Sequence, residues 1–134
     1  WSVKYGSNEL LNTMLSGSYD KSVCLWDIRS SQQIQVFNGH NSCVYAVEYL
    51  PFVVNNIEIG NNSNVICSGS YDATIRFWDI RSNKKELHLI KVDKLRCLKF
   101  VLSKKTKKTD NKINKGYNFN LYYGSANGTI HIWE

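Results

Sequence analysis

The sequence predicts an all-β protein built from three repeated units, each folding as a small antiparallel sheet. The run Ser-Gly-Ser-Tyr-Asp occurs at residues 16–20 and again at 68–72, and each copy is followed closely by Trp-Asp-Ile-Arg-Ser. A weaker copy, Gly-Ser-Ala-Asn at 124–127 followed by Trp133-Glu134, closes the chain. Such internal repetition is the sequence signature of repeat architectures. The repeated residues are turn and core material rather than a nucleophile or a ligand set, which disfavours an enzyme.

Each unit begins with an alternating segment that predicts its first strand. These segments are residues 1–5, 45–49 and 96–100, with a charged residue at the fourth place and an aromatic at the fifth. Alternation rich in aromatic and aliphatic residues is typical of a strand. The second strand is predicted over 15–18, 66–70 and 121–125, and a tight turn follows it. In the third unit this turn contains Asn127-Gly128, a pair that favours hairpins because both residues tolerate positive φ.

The third strand of each unit, predicted over 23–28, 75–80 and 130–133, is apolar on both sides. In the second unit Ile75 and Phe77 point one way, and Trp78 and Ile80 point the other. A strand with one wet face does not have this pattern, so each sheet is expected to lie between two neighbours. Small four-stranded sheets arranged radially, as in a β-propeller, satisfy this requirement.

The fourth strand is predicted at 34–37 and 87–90, and the third unit has no counterpart. The blades are therefore predicted at about 1–38, 43–90 and 95–134, and the last of them lacks its outer strand. Three blades make an incomplete ring, because about four is the minimum for closure. The apolar row of Ile130, Ile132 and Trp133 would be left uncovered. We therefore expect further blades in a longer chain, or self-association; a first residue other than Met agrees with the former.

Two insertions lengthen the connection between the first and second strands, and both are predicted to be polar surface loops. One is the Asn-rich segment 51–64, and the other is a Lys-rich segment that begins near residue 102. The net charge is +6, and six lysines and one aspartate between residues 104 and 115 supply most of it. These lysines are Lys104, Lys105, Lys107, Lys108, Lys112 and Lys115. A solvated insertion is the favoured interpretation, with an anion-binding loop as the alternative. The segment lacks arginine and aromatic residues, which disfavours nucleic acid.

Cysteine and histidine spacing favours neither a disulfide framework nor a metal site. Cys24 and Cys67 lie within apolar runs, where a reduced thiol behaves as a small hydrophobe. We expect packing thiols in a cytoplasmic or nuclear protein, with no cofactor. The histidines lack a zinc-binding spacing. No apolar stretch approaches the roughly 20 residues that cross a bilayer, so no membrane segment is expected.

The two long blocks, with Gly39-His40 ahead of the second, resemble the WD40 repeats typified by G-protein β subunits. The resemblance covers essentially the whole chain. It implies a buried tetrad that joins a loop His, a strand Ser, the turn Asp and the strand Trp. The complete tetrad would be His40, Ser68, Asp72 and Trp78, and the first repeat supplies the partial set Ser16, Asp20 and Trp26. The third repeat has Asn127 and Tyr123 at the Asp and Ser places and no His near residues 91–92, so its tetrad is predicted to be absent.

The resemblance implies a non-catalytic scaffold that binds other proteins. A sharper alternative is a substrate receptor of a cullin-RING ubiquitin ligase, because residues 14–29 and 66–81 resemble the WDxR box of such receptors. In that case Asp27, Arg29, Asp79 and Arg81 are the candidate adaptor-binding residues. The third alternative is binding of nucleic acid or acidic surfaces through the lysines of residues 104–115. Catalysis is disfavoured because the aspartates occupy structural repeat positions, and Ser16 and Ser68 have no base nearby.

Overall fold

The all-β prediction is confirmed. A computed structural model of the chain describes residues 1–6, 12–50, 64–82, 86–109 and 112–133, and over 102–119 it describes the backbone strands alone. The described residues form eleven strands and no helix. The first sheet contains β1 (Ser2–Tyr5), β2 (Thr13–Gly17), β3 (Val23–Asp27) and β4 (Gln32–Phe37). The second contains β5 (Val44–Tyr49), β6 (Val65–Ser70), β7 (Thr74–Asp79) and β8 (Glu86–Lys91), and the third β9 (Leu95–Thr109), β10 (Lys112–Ser125) and β11 (Ile130–Trp133).

Each sheet is an antiparallel meander in chain order. The first two sheets have four strands, and the third has the order β11-β10-β9. The third sheet therefore lacks an outer strand among the described residues, and the three sheets form an incomplete propeller, as predicted. Strand β5 packs against both β1 and β9, so the first strands of the three units are neighbours.

Charged side chains at the fourth place of the segments 1–5, 45–49 and 96–100 join the three sheets. The carboxylate Oε1 of Glu48 on β5 lies 3.0 Å from Nζ of Lys4 on β1 and 3.1 Å from Nζ of Lys99 on β9. Glu48 is buried, whereas the Lys99 side chain is 63% exposed. The charge found at this place in each repeat thus alternates in sign from sheet to sheet, and the central acid is shared by two cations.

Both sides of the middle sheet are buried, as predicted from strand β7. Trp78 packs with Val23, Phe37 and Val44 in the core between the first and second sheets. Ile75 and Phe77 pack with Leu95, Leu98 and Leu121 in the core between the second and third sheets. Neighbouring sheets therefore cover one another, and this mutual burial is the main stabilising contribution to the stack.

The outer sides of the end sheets expose residues whose repeat counterparts are buried. Val47 on β5 is fully buried, whereas Val3 at the same place on β1 is 53% exposed. Ile75 on β7 is fully buried, whereas Ile130 at the same place on β11 is 78% exposed. The same residue types are buried in the middle sheet because it has two neighbours, and exposed in the end sheets because each has one.

In each repeat, the turn between the second and third strands places one residue in the left-handed region, immediately after the turn Asp or Asn. These residues are Lys21 (φ 75°), Ala73 (φ 64°) and Gly128 (φ 89°). In each turn the backbone N–H of this residue donates to the carbonyl three residues earlier, over 3.1–3.3 Å. Only the third turn has glycine at this place, where it costs no steric strain.

The Lys-rich segment is an extended hairpin rather than a loop, so that prediction was wrong. Strands β9 and β10 pair continuously from Thr109↔Lys112 back to Phe100↔Leu121. All six lysines of residues 104–115 lie in these two strands. The alternation of Ile113, Tyr117 and Phe119 favours a strand in β10, and pairing with it extends β9 through the lysines. The Asn-rich insertion at 51–63 lies outside the described residues.

The polar groups of the core are satisfied. No buried side-chain nitrogen or oxygen in the described part of the chain lacks a hydrogen-bond partner. All four cysteines lie within it as free thiols, with Cys24 and Cys67 buried and Cys97 exposed. Burial raises the pKa of the Cys67 thiol well above its usual value. None of the described residues belongs to a helix long and apolar enough to cross a membrane.

Candidate functional site

The structure brings His40, Ser68, Asp72 and Trp78 together between the first and second sheets. The Trp78 indole Nε1 donates to Oγ of Ser68 over 2.8 Å, and the same oxygen lies 2.8 Å from Nε2 of His40. Nδ1 of His40 lies 2.9 Å from Oδ2 of Asp72. The expectation that Ser68 has no base nearby was therefore wrong, because its hydroxyl contacts the His40 imidazole. Four elements are joined in this way: the connection from β4 to β5, strand β6, the turn between β6 and β7, and strand β7.

One arrangement of protons satisfies every member of this network. The indole N–H of Trp78 donates to the hydroxyl of Ser68, which donates to Nε2 of His40. The Nδ1–H of His40 then donates to the carboxylate of Asp72, which can only accept. This assignment requires a neutral His40, and burial lowers the pKa of His40 below its usual 6.5 despite the neighbouring Asp72 carboxylate.

Asp72 also holds the turn and the loop that precedes β5. Its Oδ1 accepts from the Thr74 backbone N–H over 3.0 Å and from the Thr74 hydroxyl over 2.6 Å, while Oδ2 accepts from the Asn41 N–H over 2.8 Å. Burial alone would raise the pKa of Asp72, but these bonds and the one from His40 hold it below its usual value. Gly39 is required here because a Cβ would lie 2.9 Å from Cη2 of Trp78.

The first repeat forms only part of this network in the described residues. Nε1 of Trp26 donates to Oγ of Ser16 over 2.8 Å, matching the pair in the second repeat. Asp20 instead contacts its own turn: its Oδ1 accepts from the Ser22 N–H over 3.0 Å and from the Ser22 hydroxyl over 2.5 Å. The bonds from the Ser22 hydroxyl and backbone lower the pKa of Asp20.

The third repeat replaces the tetrad with a different set of contacts. The Asn127 side chain accepts from the Thr129 hydroxyl over 2.8 Å and fastens the turn. The Tyr123 ring, at the Ser place, stacks on His131 with centroids 4.8 Å apart. Nε2 of His131 lies 2.7 Å from the Thr129 hydroxyl and 3.4 Å from Oδ2 of Asp93.

The WDxR residues lie at the opposite end of the sheets from the hairpin turns. We call this the box end; it carries Asp27, the last residue of β3, with Arg29, and Asp79, the last residue of β7, with Arg81. Oδ1 of Asp27 accepts from the Arg29 N–H over 2.9 Å, and Oδ1 of Asp79 accepts from the Arg81 N–H over 2.8 Å. The bond from the Arg29 backbone is the main reason why the pKa of Asp27 is lowered. Both arginines are exposed.

An aromatic and cationic cluster at the other end was missed by the sequence reasoning. We call that end, which carries the turns at 18–22, 71–73 and 126–129, the turn end. The cluster consists of Trp1, Tyr19, Tyr45, Tyr71, Lys94 and Arg96. The Tyr45 ring centroid lies 5.8 Å from that of Trp1 and 6.0 Å from that of Tyr71, and Trp1 lies 6.4 Å from Tyr19.

Two cations from the third repeat lie over these rings. Nζ of Lys94 is 4.8 Å from the centroid of Tyr71, and the guanidinium carbon of Arg96 is 4.8 Å from that of Tyr45. The sequence did contain the signal for this cluster. Trp1, Tyr45 and Arg96 share the first place of the aligned segments 1–5, 45–49 and 96–100, and adjacent sheets bring them side by side.

The described residues offer no metal centre, since no group of three or more His, Cys, Asp or Glu side chains is placed among them to hold an ion. The fold and the tetrad together define a blade-repeat protein, in which sheets are fastened to their turns by a buried polar network. Residues 1–27 and 31–79 match the family model described as WD domain, G-beta repeat. The match covers more than half of the chain, and the chain belongs to this WD40 family.

Several known proteins are similar to the chain. A guanine nucleotide-binding protein subunit beta of Oryza sativa subsp. japonica is 37% identical over 68 residues, covering 51% of this chain and 17% of that protein. The WD repeat-containing protein pop2 of Schizosaccharomyces pombe is 30% identical over 143 residues, covering 100% of this chain and 20% of that protein. The E3 ubiquitin-protein ligase COP1 of Arabidopsis thaliana is 35% identical over 82 residues, covering 60% of this chain and 10% of that protein.

Among solved structures, the computationally designed Ika4 protein matches with a TM-score of 0.62 at 22% identity, over 98% of this chain and 62% of that one. This likeness concerns the fold alone. The chain spans a fifth or less of the length of the three relatives. Membership in the WD40 family places it among repeats that build protein-interaction scaffolds.

Proposed function

We propose that these repeats act as a non-catalytic scaffold that binds a partner protein at the turn end. The single observation that supports this most directly is the cluster of Trp1, Tyr19, Tyr45, Tyr71, Lys94 and Arg96. Trp, Tyr and Arg are the residue types that dominate the energy of protein interfaces. Tyr19, in the turn between β2 and β3, is 69% exposed, so this aromatic surface is accessible to a partner there.

The rigidity of the turn end favours binding as well. The Asp72 carboxylate and the hydroxyl of Ser70 both contact the connection that leads into β5, since Ser70 Oγ donates to the Ser42 carbonyl over 3.0 Å. Within the third sheet, the Ala126 N–H donates to the Lys94 carbonyl over 2.6 Å. A preorganised surface loses less conformational entropy when a partner binds.

The test is affinity capture of the protein that contains these repeats, from its own cells, with partners quantified by mass spectrometry. Trp1→Ala combined with Tyr19→Ala removes the exposed rings of the turn end. Arg29→Ala combined with Arg81→Ala is the matched control, because it removes two exposed side chains from the box end. The scaffold proposal expects partners that are lost with the first pair and kept with the second. Partners retained at wild-type levels in both variants would count against the turn end.

A second candidate is a substrate receptor of a cullin-RING ubiquitin ligase, docking through the box end. Both boxes adopt the same local geometry, in which an Asp side chain accepts from the Arg N–H two residues later and the arginine is exposed. Exposed arginine suits bidentate contacts with carboxylates. The likeness to a relative named as an E3 ubiquitin-protein ligase also supports this candidate.

The same capture experiment separates the two candidates. Recovery of a cullin adaptor that disappears with Arg29→Ala and Arg81→Ala, while other partners stay, would establish docking through the box end. Adaptor binding that survives these substitutions would contradict it. Adaptor docking at the box end does not exclude partner binding at the turn end. One protein can therefore bind the adaptor at one end and a substrate at the other.

A further inference from the structure

We propose that the turn end recognises an acidic peptide segment of its partner through Lys94 and Arg96, with an apolar side chain of that segment lying against Trp1 and Tyr19. This inference rests on the proposed function, because it takes the turn end as the binding surface. It adds the chemistry of the partner.

The two cations are held in place by rings rather than by carboxylates. Besides its 4.8 Å contact with Tyr45, the guanidinium carbon of Arg96 lies 5.4 Å from the Tyr71 centroid, so it contacts both tyrosines. Lys94 and Arg96 are exposed, and neither forms an ion pair within the part of the chain that the structure describes. Their positive charge is therefore oriented but not neutralised, and an incoming carboxylate would find both in place.

The acids of the turn end are already engaged by their own repeats. Asp72 accepts from Asn41, Thr74 and His40, and Asp20 accepts from Ser22. Asp93, adjacent to Lys94, lies 3.4 Å from His131 instead. The aromatic and cationic cluster itself contains Lys94 and Arg96 and no acid, so its local charge is positive, and an acidic segment complements it.

An apolar contact accompanies the charge. The rings of Trp1 and Tyr19 lie side by side at 6.4 Å, and both are mostly exposed. Amphipathic aromatic residues in this position bind apolar side chains at low entropic cost because their own side chains have few rotatable bonds. A segment that carries an aromatic or aliphatic residue among its acids therefore fits better than a uniformly acidic one.

Nucleic acid fits this surface less well than a peptide does. Base stacking needs free ring faces, and Arg96 lies over Tyr45 while both cations lie over Tyr71, which leaves Trp1 and Tyr19 as the exposed rings of the cluster. The cluster also contains only two cations, too few to follow a phosphate backbone. We therefore assign the site to peptide carboxylates.

The test uses the protein that contains these repeats and a fluorescein-labelled peptide, Glu-Glu-Phe-Glu-Glu, with Gln-Gln-Phe-Gln-Gln as its uncharged match. Fluorescence anisotropy should show the acidic peptide binding about tenfold more tightly than the uncharged one. Lys94→Gln with Arg96→Gln should weaken acidic-peptide binding by about the same factor. Arg29→Gln with Arg81→Gln, at the box end, is the matched control and should leave it unchanged.

Equal affinities for the two peptides, or no effect of the Lys94 and Arg96 substitutions, would overturn the proposal. So would displacement of the peptide by an equal or lower concentration of a single-stranded oligonucleotide. In partner capture, the partner could be lost with Trp1→Ala and Tyr19→Ala but fully retained with Lys94→Gln and Arg96→Gln. That result would refute recognition of an acidic segment and would leave the scaffold function standing. Retention of the partner in both double variants would refute both the acidic-segment proposal and partner binding at the turn end.

Discussion

The indole Nε1 of Trp78 lies 2.8 Å from Oγ of Ser68, and both residues are almost completely buried. Because the same hydroxyl also meets Nε2 of His40, Ser68 is the centre of the polar network that fastens the second sheet to its turn and to the preceding connection. The first repeat contains the equivalent pair, Trp26 and Ser16, at the same distance but only half-buried. Burial therefore distinguishes two otherwise equal hydrogen bonds.

This difference predicts unequal costs for the same substitution. Ser68→Ala leaves a buried indole N–H and a buried imidazole without a partner, and should lower the free energy of opening of the second sheet by about 2–3 kcal/mol. Ser16→Ala, in the half-buried pair, should cost about 1 kcal/mol or less. Hydrogen exchange of peptides from β6 and β2, measured in the protein that contains these repeats, gives both values. Equal costs would show that burial does not set the strength of the pair.

Lowering the pH should destabilise the second sheet. The pKa of His40 is lower in the folded state than its usual 6.5, chiefly because the ring is buried, so the unfolded state binds more protons as the pH falls below 6.5. The stability contributed by neutral His40 is present above that pH and is lost progressively below it. The pKa of Asp72 is also lower in the folded state than its usual 3.8. The stability contributed by the Asp72 carboxylate is therefore lost in turn as the pH falls below 3.8.

Hydrogen exchange of residues 38–46 at about pH 7.5 and about pH 5.5, corrected for intrinsic exchange rates, measures the first of these losses. We expect a lower free energy of opening at the more acidic pH. His40→Gln should reduce the protection at both pH values and flatten the difference between them. An unaltered difference in this variant would assign the acid sensitivity to another group.

The hairpin turns predict a stabilising substitution. Ala73 adopts a φ of 64° although its Cβ disfavours this region, whereas Gly128 occupies the same place in the third turn without strain. Ala73→Gly should stabilise the second sheet by about 0.5–1 kcal/mol, and Gly128→Ala should destabilise the third by about 1 kcal/mol. A Cβ at Gly128 would meet no atom within 4 Å, so the second effect reports backbone conformation alone. Effects of the same sign would contradict this explanation.

The alternating charges of the first strands predict that Glu48 stabilises the stack of sheets. Glu48→Gln removes the carboxylate that Lys4 and Lys99 share, and should lower the free energy of opening of β5 by about 1–2 kcal/mol. Lys99→Gln should cost less than about 0.5 kcal/mol, because this side chain is mostly exposed. A larger cost for Lys99→Gln than for Glu48→Gln would show that the shared carboxylate is not the stabilising group.

The repeat pattern was sufficient to predict the sheets, because turn residues and apolar places recur at equivalent positions. Ile75 and Phe77 on one side and Trp78 on the other predicted the burial of both sides of β7. The composition of residues 104–115 predicts a loop, whereas the alternation in the partner strand β10 favours the strand that the structure contains. Pairing between strands is a non-local interaction, so the propensity of the Lys-rich segment alone could not predict it.

The candidate surface at the turn end was harder to predict than the tetrad. The tetrad follows from residues at fixed spacing within a repeat, whereas the aromatic and cationic cluster joins three repeats and two kinds of chemistry. The repeat pattern predicts Trp1 and Tyr45 as strand residues, and Arg96 occupies the same place without an aromatic ring. Their contact depends on how closely the sheets approach, which spacing along the chain does not specify.

The most direct test of partner binding at the turn end is site-specific photo-crosslinking in cells. A photoreactive amino acid would replace either Tyr19 at the turn end or Arg29 at the box end of the protein that contains these repeats. We predict a partner cross-linked from position 19 whose yield falls with Lys94→Gln and Arg96→Gln. Cross-links formed only from position 29 would contradict binding at the turn end and would assign the interaction to the box end.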